Sequence, residues 1–234
     1  IDAAQTFRAL VDELSAHTRL AVDTESNSLH AYRERVCLIQ LSTTHHDYLI
    51  DPLAIGDLSP LEPIFANPNI EKIFHAAEYD LICLRRDFGW KVTRIFDTMI
   101  AARTLGWTQL GLGSLLETHF GVKADKRHQR ANWGARPLTP DQLAYARLDT
   151  HYLLPLRDQL IEELKSNNCH DEAQEEFDRL SRLIGNNHFA LPTFDPENFW
   201  RISGARDLTS RQAAILRELF IYRDSAARQM NRPP

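Results

Sequence analysis

Asp23 and Glu25 stand one residue apart just beyond the apolar run Leu20-Ala21-Val22, in "LAVDTES". The run reads as a buried strand, and residues i and i+2 of a strand point to one face. Two carboxylates would then lie side by side, with like charges repelling. Asp80 poses the same problem on a helix. In "HAAEYDLICLRRDFG" the apolar stripe runs Ala77, Leu81, Leu84, Phe88, and Asp80 falls on or beside it. Asp149 poses it again, four residues after Tyr145 on one face of "TPDQLAYARLDTHYLLPL". Buried charges without compensation are costly, so such groups protonate, pair or bind a cation. Two of the four share a strand face, which removes mutual pairing as the solution. Hard oxygen ligands without cysteine or a histidine pair favour Mg²⁺ or Mn²⁺ over Zn²⁺. Three or four carboxylates that leave coordination positions to water suit two-metal phosphoryl transfer, with two divalent cations. The Tyr145 hydroxyl would then orient the attacking water.

These acids need elements to carry them. Residues 1–19 have Phe7, Leu10, Val11 and Leu14 at helical spacing. Strands are expected at 20–25, 35–42 and 47–50, the last two joined as a hairpin through "TTHH". An apolar run at 70–74 leads to a helix from Ala76 to Phe88, stopped at Gly89. "RIFD" is a short strand before the helix "TMIAARTL". Thr139, Pro140 and Gln142 form a capping-box start, and Pro155 should kink or interrupt the helix that follows. This order predicts an α/β domain with a mixed sheet to about residue 165. Beyond it come an acidic, solvated stretch from Glu162 to Asp178, a Pro-containing link and a helix from about Ser210.

The chain has 234 residues, 43% hydrophobic and 25% charged, enough to bury a core without staples. Its three cysteines show no metal-ligand spacing and read as reduced thiols of a cytoplasmic protein. No stretch resembles a membrane span or a signal peptide. A net charge of −5 argues against indiscriminate coating of nucleic acid, while leaving room for a local basic groove. Oligomeric state is not legible.

"VDTES", "FHAAEYD" and "YARLD" resemble, in order, the three motifs of the DEDD superfamily of 3′–5′ exonucleases, in the subclass with tyrosine in the third motif. The resemblance is to the ribonuclease D family, and "VCLIQLS", "FDTMIAARTLG" and the segment 121–150 extend it. It implies an RNase H-like mixed β-sheet flanked by helices, with a C-terminal helical extension. It also implies Asp23, Glu25, Asp80 and Asp149 as metal ligands and Tyr145 as the water-positioning residue. The implied reaction releases nucleoside 5′-monophosphates from RNA 3′ ends, as in processing of tRNA or other structured RNA. Residues 1–165 would be the exonuclease domain and 166–205 a helical connector. Residues 206–234 resemble the start of a helicase-and-RNase-D C-terminal (HRDC) domain, truncated after its first helix. A DNA exonuclease and a non-catalytic RNA-binding scaffold are the alternatives.

Other residues carry two readings each. Asp97 is better read as the N-cap of the next helix than as a fifth ligand. His75 either lies near the substrate or makes a structural hydrogen bond. Leu29, His30 and Tyr32 either stack on terminal bases or anchor a loop. The His45-His46 doublet reads as a solvated hairpin tip. Between 121 and 136, Lys123, Lys126, Arg127, Arg130 and Arg136 surround Trp133. They form either a phosphate-contacting loop or a solvated run.

Overall fold

β1 (Arg19–Ser26) is the strand on which the site is built, and its two neighbours treat it differently. In the computed structural model, which describes residues 1–123, 125–185 and 194–233, β2 (Val36–Ser42) pairs antiparallel with β1 from Ala21 to Ser26, with a register shift between Glu25 and Ser26. On the other edge β4 (Glu71–Phe74) runs parallel to β1, but the pairing ends at Ala21 opposite Ile73. β3 (Asp47–Ile50) closes the hairpin with β2, and β5 (Ile95–Asp97) runs parallel to β4. Among the described residues the five strands form one mixed sheet in the order β3-β2-β1-β4-β5. Asp23, Thr24 and Glu25 therefore project past the end of β4, at the carboxyl end of the parallel strands, where open α/β sheets place ligands.

The helices cover both faces. α1 (Ala4–Ser15) buries Phe7, Leu10 and Leu14 beside Leu20 and Val22, together with α2 (Glu62–Ala66) and α3 (Glu78–Phe88). Ala21 points the other way, into a second cluster with α4 (Thr98–Thr104), α5 (Leu112–Phe120) and α7 (Leu153–Ser166). This alternation puts Asp23 and Glu25 on the Ala21 face, the face against which α6 (Pro140–His151) packs. The capping box of Thr139 and Gln142 starts α6 as expected. The expected interruption falls at Tyr152, with Pro155 in the first turn of α7. There the missing proline N–H costs nothing, whereas a continuous helix would set its ring against the carbonyl of His151. Gly89 ends α3 in the left-handed conformation, φ 74°.

α8 (His170–Gly185) departs from the expected solvated connector. Ala173 and Phe177 are buried with α4 and α7, and Leu180 joins the other cluster. The acidic residues lie on the outer face of an amphipathic helix whose apolar stripe completes the core. Two compact units are present, Ile1–Ser26 with Val36–His188 and Asn27–Arg35 with Phe189–Pro234. In the second unit, α9 (Ser210–Met230) begins with a capping box at Thr209 and Gln212. The Tyr32 hydroxyl donates to Asp224 at 2.8 Å and accepts from Arg228 at 2.9 Å, tying the short segment to α9. None of the described helices is long and apolar enough to cross a membrane.

Candidate active site

Asp23 and Glu25 meet Asp149 at the open end of β1. One carboxylate oxygen from each lies within 4.8 Å of the others. α6 delivers Asp149 from a position fixed by its neighbour: the Thr150 hydroxyl is 2.7 Å from that of Ser42 on β2. Asp80 comes from the first turn of α3 and is 6% exposed. Its Oδ1 accepts the Thr24 amide at 3.0 Å and the Thr24 hydroxyl at 2.5 Å. Asp80 thereby takes the strand N–H that β4 is too short to satisfy, which also sets its place beside the other acids.

The electrostatics are those of uncompensated burial. Burial and then the charge of Asp149 push Asp23 well above the usual carboxylate range. Burial and then Asp23, Asp149 and Asp80 push Glu25 up to about 10. Asp149 rises to about 7, through burial and Asp80, and Asp80 rises through burial and Asp23. Among the described residues the charged groups raising all four are negative, so the set is stable only protonated or with a cation. Gln40 adds to this demand. It stands directly opposite Asp23 on β2, on the same face, fully buried with neither amide atom hydrogen-bonded. A cluster of hard oxygen donors without sulfur, raised by burial and by one another, fits Mg²⁺ or Mn²⁺.

Tyr145 and Asp149 line a cleft of about 240 Å³ with His75, Gly111, Gly113 and Gln129. Burial and the fields of Asp149, Glu25 and Asp23 push the Tyr145 hydroxyl above the usual tyrosine range, so it stays protonated as a hydrogen-bonding group. His75 Nδ1 lies 2.9 Å from the Thr98 hydroxyl, and burial holds its ring below the usual histidine range against the opposing pull of Asp97. His75 is thus structurally bonded, and it also lines the cleft. The start of α5, "GLGS", was not among the expected site residues. Its signal is two glycines at a helix N-terminus with no side-chain cap.

Two residues of the basic loop, Trp133 and Arg136, are taken up by the fold. Trp133 is only 1% exposed, so it cannot stack on a base or meet a phosphate. It packs with Cys37, Leu38 and Ala146, its ring 6.0 Å from that of Tyr145. Arg136 is held in two hydrogen bonds by Asp51, at 2.6 and 2.8 Å, and donates to the carbonyls of Cys37, Trp133 and Ala135. Its fork is spent on the fold. Arg127 pairs with Asp125, while Arg130 is exposed. The Lys126 side chain lies outside the described residues. Leu29 is 58% exposed and His30 is exposed in the second unit. Both histidines of the 45–46 doublet are exposed.

Residues 1–165 match the family described as 3′–5′ exonuclease. The chain belongs to that family. Its motifs place it among the DEDD 3′–5′ exonucleases, and the fold is the RNase H-like one of its solved relatives. It is 36% identical over its full length to an exosome complex component 10 homolog of Caenorhabditis elegans and 33% identical to the exosome complex exonuclease RRP6 of Saccharomyces cerevisiae. It covers 27% and 33% of those two proteins. It is 33% identical to a ribonuclease D of Acidiphilium cryptum, of which it covers 58%. The chain thus spans from about a quarter to somewhat over half the length of these relatives. Among solved structures it superposes on the catalytic core of RRP6 from Trypanosoma brucei with a TM-score of 0.91, at 33% identity, covering all of this chain and 65% of that one. For Escherichia coli RNase D the TM-score is 0.74, at 33% identity, covering all of this chain and 61% of that one. Relatives of the RRP6 and ribonuclease D types stand equally near, so the narrower resemblance to ribonuclease D widens to both.

Proposed function

We propose that this chain is the catalytic core of a divalent-cation-dependent 3′–5′ exoribonuclease that removes nucleotides one at a time from RNA 3′ ends. The observation that carries the reading is the convergence of Asp23, Glu25 and Asp149 from two distant segments, with Asp80 beside them and Tyr145 lining the cleft. Asp23, Glu25, Asp80 and Asp149 would hold Mg²⁺ or Mn²⁺, whose chemistry there is Lewis-acid activation of a phosphodiester and its attacking water. The neutral Tyr145 hydroxyl holds that water in line with the terminal phosphorus. The water adds to phosphorus as the bond to the preceding 3′ oxygen breaks. A nucleoside 5′-monophosphate leaves, and the shortened RNA keeps a 3′-hydroxyl.

RNA as the substrate rests on the relatives, which include an E. coli exoribonuclease named for structured RNA processing. tRNA precursors and similar structured RNAs are the substrates this reading favours. Residues 206–234 are read as the start of an HRDC module, on their resemblance alone. The test is a 3′-tailed RNA incubated with and without EDTA, with products resolved at single-nucleotide steps and a matched DNA alongside. A ladder of products that EDTA abolishes, with the DNA degraded more slowly, is expected. Binding without release of mononucleotides would sink the reading, and equal rates on DNA would remove the preference for RNA.

A further inference from the structure

Asp97 does more than cap the helix that follows it. Its Oδ1 accepts the amides of Met99 at 2.8 Å and Ile100 at 3.1 Å, the expected N-cap of α4. The same carboxylate reaches the corner between β4 and α3, where Oδ1 accepts the Ala76 amide at 3.1 Å and Oδ2 the Ala77 amide at 2.7 Å. Four backbone donors converge on this carboxylate, three on Oδ1 and one on Oδ2, as on an acceptor built into the fold. Asp97 is 1% exposed, so these bonds are made away from water.

The corner needs this support. Ala76 sits at φ 60°, in the left-handed region, which costs a residue other than glycine about 1–3 kcal/mol. Ala77, the N-cap of α3, contributes no side-chain cap. Asp97 supplies the missing acceptor from the neighbouring strand, and charge-assisted bonds of this kind are the strong ones. The strained residue lies between His75, which lines the cleft, and Asp80, which braces Thr24. A change of φ at Ala76 would swing the two apart.

We propose that Asp97 is a positioning residue for the hydrolysis: by clasping the starts of α3 and α4 together it holds Asp80 and His75 in register with β1. The inference rests on the exonuclease reading above. Asp97→Asn tests it selectively, because the asparagine Oδ1 can still cap α4 while its amide cannot accept from Ala77. We expect KM for RNA to stay within about twofold while kcat falls about tenfold, as for an interaction made only on the way to the transition state. The Mg²⁺ concentration for half-maximal rate should rise about tenfold, the scale lost when an outer partner of a metal ligand is removed. Leu14→Ala, a core deletion in α1, lowers stability and serves as the control that changes neither quantity.

Hydrogen exchange on the wild-type chain, without RNA or metal, gives a second readout. The Ala76 and Ala77 amides should exchange as slowly as those of β4, although both lie outside the helix. Fast exchange at Ala77, or Asp97→Asn with unchanged kcat and Mg²⁺ dependence, overturns the proposal. Should the variant not fold, the wild-type exchange decides. An inactive wild-type chain would sink the exonuclease reading and leave the exchange result standing.

Discussion

The acid cleft and the basic loop were both marked by clustered charge, and the fold treats them in opposite ways. Arg136 and Asp51 satisfy each other, and the Arg136 guanidinium lowers the Asp51 carboxyl below its usual range. Arg127 does the same for Asp125. Asp23 and Glu25 are raised instead, by burial and then by the neighbouring acids. A charge with a partner belongs to the scaffold. Buried charges without one need something from outside, and that distinction, more than clustering, marks the functional region.

The contrast breaks most visibly at the cleft. Asp23→Ala and Asp149→Ala should each lower the hydrolysis rate by about 10³-fold, the scale of lost charge stabilisation at a reacting centre. Circular dichroism should show the fold unchanged. Without metal the melting temperature should not fall, since each change removes a repelled buried acid. Tyr145→Phe should lower kcat by about 10²-fold with KM within about twofold, the range for a group that aids proton movement without binding substrate; steady-state kinetics on a labelled RNA checks this.

On the partnered side the expected effects move from rate to stability. Arg136→Ala should cost about 2 kcal/mol, because Asp51 and three carbonyls lose a charged donor. Denaturant titration reads that loss, and the rate per folded molecule should hold. Arg130→Ala should have the smallest effect, a few-fold weaker RNA binding and a salt slope lower by about one. A rate loss in Arg136→Ala to match Asp149→Ala would erase the contrast.

Much of this was open to sequence reading because it rests on local rules. Strand alternation placed Asp23 and Glu25 together, helical spacing placed Asp80 inward, and the capping box set the start of the helix bearing Asp149. What stayed hidden depends on long-range contacts. Nothing local tells that Trp133 turns inward against Tyr145, or that Arg136 finds Asp51 eighty-five residues away. The reach of Asp97 to the α3 corner follows from β4 and β5 lying side by side, which only the sheet order reveals. The acidic composition of α8 predicts a solvated stretch, whereas its stripe of Ala173, Phe177 and Leu180 decides its place.

The most direct test of the acid cluster is the melting temperature against pH, with and without millimolar Mg²⁺. The unfolded chain ionises these carboxyls near their ordinary values of 3.8 and 4.5, whereas folding holds Asp149 to about 7 and Glu25 to about 10. The folded protein therefore keeps protons that the unfolded chain has lost. The stability they contribute is complete below about 4 and is lost as pH rises through about 7 and onward toward 10. Without metal the melting temperature should decline across that window, and Mg²⁺ should raise it most at the alkaline end, where the ligands are ionised. Superimposable curves, with no response to Mg²⁺ at any pH, would contradict the account at its centre.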